Sequence, residues 1–283
     1  MSHPSEAAQG RPAMVRLGAV ARTFHPGTPD AVRALDGIDV EIPEGEWVVV
    51  LGTNGSGKST LLNVIAGTFG LDGGTIALGG QDVTHWPEHR RAGIIGRIFQ
   101  NPFSGTAPAM SIAENFALAS RRGRTRGFRP AVTSAFRAEL RARVSTLGMG
   151  LEDRLDTAIG TLSGGQRQAL TLLMATWHDP GVLLLDEHTA ALDPRSAAQV
   201  QALTADIVQG RRLTALMVTH SMPQAIAYGE RIIMMHRGRV LHDFRGEARR
   251  RLGVGDLLAC FEDARRTPAD DVPPSPRSAV GTD

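Results

Sequence analysis

The chain has 283 residues, 42% of them hydrophobic, with 31 basic and 29 acidic side chains and a formal net charge of +2. That size supports one large domain or two smaller ones, and the near balance of charge makes no demand for a nucleic-acid partner. One cysteine, Cys260, excludes an internal disulfide; no apolar run approaches the roughly 20 residues that cross a bilayer, and the N-terminus lacks the charged-then-apolar plan of a secretory signal, so the chain reads as cytosolic.

Residues 1–12 are small and polar and read as a disordered tail. Residues 15–20 and 38–42 alternate apolar with polar, as half-buried strands do. Residues 47–51 are an unbroken apolar run rich in valine, the pattern of a buried parallel strand. A helix is predicted over Lys58–Ala66, with Leu61, Leu62 and Ile65 inward and Gly67 as its stop. Strands are predicted at 75–78 and 94–99. From Ser111 to about Trp177 there are helix signals and no good strand. Ser111 and Glu114 form a capping box ahead of Phe116 and Leu118. Pro130 is placed in the first turn of a helix carrying Phe136, Leu140, Val144 and Leu147. Ser163 precedes a helix carrying Leu170, Leu173 and Met174. Strands return at Val182–Asp186, 213–219 and 231–235. Residues 265–283, with Pro268, Pro273, Pro274 and Pro276, read as a second tail. The expected fold is an α/β domain over residues 13–264, with a mainly parallel sheet and a helical insertion over 101–177.

The chemistry concentrates in three segments. Gly52-Thr53-Asn54-Gly55-Ser56-Gly57-Lys58-Ser59-Thr60 fits the phosphate-loop pattern G-x-x-x-x-G-K-[ST]. Lys58 is the sole lysine of the chain. Its compact ammonium reaches between phosphate oxygens where a planar guanidinium is too bulky. The glycines turn backbone N–H groups toward phosphate, and the Ser59 hydroxyl is placed to ligate Mg²⁺. Asp186 ends a buried strand, where a carboxylate can hold Mg²⁺ through water; Glu187 comes next, placed to accept a proton from an attacking water. Ser163-Gly164-Gly165-Gln166 opens a helix and makes a second anion site. One nucleotide rarely needs two such cradles, so the second is read as serving the nucleotide of another copy.

These segments occur in one order with Gln100, Asp193 and His220, and in that order the chain resembles the ATP-binding subunit of ABC transporters. The resemblance runs over roughly residues 14–262 and implies a P-loop core, an added antiparallel β region, and ATP with Mg²⁺. It implies that Phe24 stacks on adenine; a core Phe at a strand end is the alternative. Gln100 would sense Mg²⁺ and the attacking water. Ser163, Gly164, Gly165 and Gln166 would meet the γ-phosphate across a head-to-tail dimer, with Asp193 at the interface. Asp193-Pro194 is also a good N-cap and first-turn pair. His220 would contact the γ-phosphate and hold Glu187. The implied partners are a second copy or a paralogous ATPase, membrane permease subunits, and a periplasmic or lipid-anchored binding protein, with no nucleic acid. The implied location is the cytoplasmic face of the bacterial inner membrane.

His188 departs from the family, where proline usually comes after the glutamate. The string from Asp186 to Pro194 and the segment 105–110 resemble those of importers of aromatic or branched amino acids. Arg121, Arg122, Arg124, Arg126 and Arg129 with Phe128 could touch lipid or a permease loop, but arginine clusters throughout the chain favour a solvated loop. An exporter or lipoprotein-extraction ATPase is the alternative within the family. A non-transport ABC protein acting on nucleic acid or ribosomes is disfavoured by the single cassette and the lack of heptads. A GTPase is disfavoured because no Asn-Lys-x-Asp motif is present.

Overall fold

The structure, a computed structural model, describes residues 11–101, 103–123 and 130–266. The expected tails, apart from residues 11–12 and 265–266, lie outside the described residues, as do Arg124, Arg126, Phe128 and Arg129 of the basic run.

The chain begins with a hairpin of β1 (Ala13–Phe24) and β2 (Val32–Pro43). It continues through β3 (Trp47–Gly52), α1 (Lys58–Ala66), β4 (Gly73–Leu78), β5 (Gln81–Asp82), α2 (Glu88–Arg91) and β6 (Ile95–Ile98). Helices α3 (Ile112–Ala119), α4 (Ser134–Ser145) and α5 (Gly164–Ala175) come next, with a 3-10 turn at Ile159–Thr161. The last part runs β7 (Val182–Asp186), α6 (Pro194–Gly210), β8 (Thr214–Val218), α7 (Met222–Ala227), β9 (Arg231–His236), β10 (Arg239–Phe244), α8 (Gly246–Arg251) and α9 (Val254–Arg266).

The strands form an antiparallel sheet in the order β2-β1-β4-β5 and a larger sheet in the order β10-β9-β3-β8-β7-β6. Within the larger sheet β3, β6, β7, β8 and β9 are parallel, and β10 is an antiparallel edge. Every residue of β3, β8 and β9 is buried, which is why the centres of these strands read as apolar runs, although Thr214, Arg231 and His236 are buried with them. Val48 and Val50 face one way, toward α1 and the antiparallel sheet, where Leu61, Leu62, Ile65, Val15 and Leu17 fill the space. Val49 and Leu51 face the other way, onto Leu172 of α5, Val208 of α6 and Leu257 of α9. Each such buried side chain contributes about 1.5–3 kcal/mol.

The helical region has its own core of Ile112, Phe116, Leu140, Val144, Leu170, Leu173 and Trp177. Helix α5 belongs to both cores: Leu170 and Leu173 point into the helical one, Leu172 and Ala175 onto the sheet. It thereby ties insertion to sheet.

The α/β class with a mainly parallel sheet, an antiparallel region and a helical insertion is as the sequence predicts. One placement needs correction. Pro130 is not in the first turn of α4: the helix begins at Ser134, and the Thr133 hydroxyl caps it by accepting from the Phe136 N–H at 3.2 Å. A hydroxyl acceptor at the N-cap satisfies an orphan donor, which proline cannot do. Strand β10 and helices α8 and α9 were not foreseen. In β10 only Val240 is buried, so its apolar signal is weak.

Candidate functional site

Four parallel strands collect the predicted residues at one end of the sheet. In register, Val50 of β3 lies beside Val218 of β8, Asp186 of β7 beside Val218, and Ile98 of β6 beside Leu185. The segments leaving these strands therefore emerge together, as ligand-binding segments do in open α/β sheets. They are the 52–60 loop after β3, His220 after β8, Glu187 after β7 and Gln100 after β6.

Backbone shape makes the loop's glycines necessary. Gly57 has φ of 98°, and a Cβ there would lie 2.2 Å from the Ala34 carbonyl oxygen of β2. A Cβ on Gly52 would lie 2.5 Å from the Met235 carbonyl oxygen of β9. Both neighbours are backbone and cannot yield cheaply. Asn54, Gly55 and Ser59 are exposed, and Thr53, Gly57 and Thr60 are half-buried. Ser56 is buried with no partner for its hydroxyl.

Lys58 is buried at the start of α1, and its ammonium donates to the Gly52 and Thr53 carbonyls, 2.9 Å each. Burial pushes its pKa down, against the pull of the nearby Glu187 and Asp186 charges. The Ser59 hydroxyl donates to Asp186 Oδ1 at 3.2 Å. Burial pushes the Asp186 carboxyl up, while the Ser59 hydrogen bond and then the charges of Arg97, Lys58 and His220 pull it down.

Glu187 sits in the left-handed region, with φ of 43°. Its N–H donates to the Val218 carbonyl at 3.1 Å, across the junction of β7 and β8. Its carboxylate is held at both oxygens: Oε1 lies 2.5 Å from His220 Nε2, and Oε2 accepts from Gln100 Nε2 at 3.3 Å. Lys58, Ser59, Gln100, Asp186, Glu187 and His220 are thus one cluster.

Phe24 lies apart from this hydrogen-bonded cluster. It ends β1, half-buried, edge-on to Phe69 at 5.3 Å, with the Arg22 guanidinium 5.2 Å from its ring centre. Its pairing partner in β2 is Val32, close in sequence to the Ala34 that abuts Gly57.

Ser163–Gln166 opens α5 with a complete capping box: the Ser163 hydroxyl accepts from the Gln166 N–H, and the Gln166 side chain accepts from the Ser163 N–H, 3.3 Å each. A Cβ on Gly165 would lie 2.7 Å from Ser196 Cβ of α6. Asp193 caps α6, accepting from the Ser196 N–H at 3.1 Å. Among the described residues, no hydrogen bond or ion pair joins 163–166 to the 52–60 loop.

Three residues were missed. Arg97 places a charge beside Asp186 and stacks on Phe99 at 4.4 Å. A lone arginine inside an apolar strand was its only signal. Gln168, fully buried on α5, donates to the Phe99 carbonyl at 3.3 Å, next to Gln100. Thr204 of α6 meets the His188 ring, Oγ1 to Nε2, at 3.0 Å. Burial pushes the His188 pKa down to about 4, so the ring is neutral near pH 7.

A family model described as ABC transporter matches residues 35–190, over half of the chain. The chain belongs to the ABC transporter family. Its members are ATPases, and this chain is an ABC transporter ATPase. It is 39% identical over 251 residues to the tyrosine transport ATP-binding protein of Clostridioides difficile, covering 88% of this chain and 99% of that one. It is 37% identical over 202 residues to the thiamine import ATP-binding protein ThiQ of Salmonella choleraesuis, covering 70% and 80%. Among solved structures, a dimeric ATP-binding cassette in a post-hydrolysis state bound to ADP and phosphate superposes with a TM-score of 0.69 at 27% identity, covering 82% of this chain and 98% of that one. Among the described residues, no helix is long and apolar enough to cross a membrane.

Proposed function

We propose that this ABC transporter ATPase energises a bacterial importer of amino acids or similar small solutes, working as a head-to-tail dimer on the cytoplasmic face of the inner membrane. The cassette is taken as residues 13–264, with the helical subdomain at 101–177. The observation that carries the reading is Glu187, whose carboxylate is gripped by His220 and Gln100 at the sheet end that also bears Lys58.

In this reading Lys58 leaves its loop carbonyls for the β- and γ-phosphates, and the amides of 52–60 turn to the phosphate oxygens. Glu187 takes a proton from a water whose oxygen attacks the γ-phosphorus. The bond from that phosphorus to the bridging oxygen breaks, and ADP leaves with Lys58 facing its new charge. His220 and Gln100 hold carboxylate and water in line. Ser59 and Asp186 fit Mg²⁺: a hydroxyl and a carboxyl meet there, and burial raises the carboxyl's pKa, which a bound cation would oppose. When bound, Mg²⁺ neutralises phosphate charge. Phe24 stacks on adenine. Ser163, Gly164, Gly165 and Gln166 meet the γ-phosphate of the partner copy, with Asp193 at the interface.

The amino-acid reading leans on the tyrosine transport relative, matched over nearly its whole length. Partners are a second copy or paralogue, permease subunits and a periplasmic or lipid-anchored binding protein. A groove lined by Ala92, Arg97, Phe99, Gly105, Arg122 and Met174 runs between sheet and helical insertion, suited to a permease segment. The test is transport by the chain reconstituted in liposomes with its permease. Uptake of an aromatic or branched amino acid that needs both ATP and the binding protein is expected. ATP-driven efflux, or no response to any amino acid, would overturn the importer assignment.

A further inference from the structure

The strain at Glu187 asks what holds it. A non-glycine residue at φ of 43° costs free energy and persists only where its surroundings over-determine it. Its own side-chain ties reach toward solvent: the His220 side chain is 45% exposed. The other side of the turn is buried. The Ala190 N–H donates to the Glu187 carbonyl at 2.9 Å, so Glu187 to Ala190 is one tight turn with His188 at its second position. From it two side chains reach α6. Thr189 Oγ1 accepts from Gln201 Nε2 at 3.2 Å. His188 Nε2 lies 3.0 Å from Thr204 Oγ1, with both residues buried.

Counting protons gives the direction of that second bond. Thr204 has one hydroxyl hydrogen, given to the Val200 carbonyl one helical turn back at 2.8 Å. Its oxygen is left as an acceptor, so His188 Nε2 carries the proton and donates. Helix α6 is a firm anchor: 17 residues long, capped by Asp193, with Ser196 packed against Gly165.

We propose that His188 is the positioning residue of Glu187, mooring its strained turn to α6 through the bond to Thr204. This rests on the reading of Glu187 as the group that takes the water's proton. His188 touches neither nucleotide nor water; it restricts where the neighbouring carboxylate can point. Misplacing a reacting group costs rate and leaves ground-state binding alone.

The test is the ATPase activity of the full-length chain, with kcat and KM for ATP measured separately. Thr204→Val keeps the side-chain shape and strands the buried donor. It is expected to lower kcat roughly tenfold, with KM for ATP held within about twofold. Thr204→Ser keeps the acceptor and is expected to restore kcat. His188→Ala is expected to match Thr204→Val, and the double variant to lose no more than either. A Thr204→Val chain with wild-type kcat and only a lower melting temperature would reduce the pair to packing and overturn the proposal. So would losses that multiply in the double variant. If His188→Ala fails to fold, the Thr204→Val and Thr204→Ser pair decides alone. A wild-type chain no faster than Glu187→Gln would instead overturn the reading of Glu187 and this role with it.

Discussion

The 52–60 loop and the 163–166 turn share a composition: glycines, a serine, and the start of a helix. They use glycine for different reasons. Gly55 and Gly57 have φ of 77° and 98°, so the loop bends through conformations that side chains resist. Gly164 and Gly165 are ordinary helical residues, small because Leu192 and Ser196 press against them. The loop also carries its own cation, Lys58, parked on its own carbonyls. The turn has none, and its first donors are partly taken by the capping box. On the proposed reading, one region is a nearly complete phosphate site within a single chain, and the other is half of one that needs phosphate brought to it.

The sharpest way to break that contrast is complementation. On the proposed reading Lys58→Ala and Ser163→Arg are each inactive, because every site in either homodimer lacks one half. Mixed at equal amounts, they should recover about a quarter of wild-type ATPase activity, since random pairing makes half the dimers mixed and each holds one intact site of two. No recovery, in a mixture where mixed dimers are demonstrated, would place both halves within one chain.

Glu187→Gln should slow hydrolysis by about 10²–10⁴ while ATP still binds. Size-exclusion chromatography with ATP should then show a trapped dimer. A variant that turns over normally would remove Glu187 from the chemistry.

The two glycine types predict different stability changes. Gly57→Ala combines a positive φ with a backbone clash and should cost at least about 1–3 kcal/mol by urea unfolding. Gly164→Ala meets only the tip of the Leu192 side chain, at 3.1 Å, and gains helix propensity, so its net change should be within about 1 kcal/mol. Equal costs would erase the distinction between a bent loop and a packed helix start.

The loop, both strand-end acids, the Ser111–Glu114 capping box and the Ser163 N-cap were legible in the sequence because each depends on residues close in the chain. The 3.6-residue pattern likewise marked α1 and the helical insertion. Arg97, Gln168 and Thr204 were not legible, since the role of each depends on a partner at least 16 residues away. Strand β10 hid because an edge strand with one buried residue carries little alternation. Pro130 misled because proline suits a first turn, yet the hydroxyl of Thr133 decided where α4 starts. His188 stood out as unusual, but its purpose lay in α6.

A further expected effect concerns the base and tests how complete the loop's site is. Phe24 is half-buried against Phe69, with Arg22 over its ring, so both a packing role and a stacking role have a structural basis. Nucleotide binding to the Phe24→Ala chain separates them. If the ring stacks on adenine, ATP binding should weaken by about 1–3 kcal/mol, as for bases on aromatic side chains elsewhere. Inorganic triphosphate has no base, and its binding should change far less. If Phe24 instead only fills space at the end of β1, its loss would disturb β2, which backs Gly57, and both ligands would weaken together. A selective loss for ATP would make the chain's own half sufficient for base, sugar and phosphates, leaving only the γ-phosphate end to be closed by the partner's Ser163–Gln166.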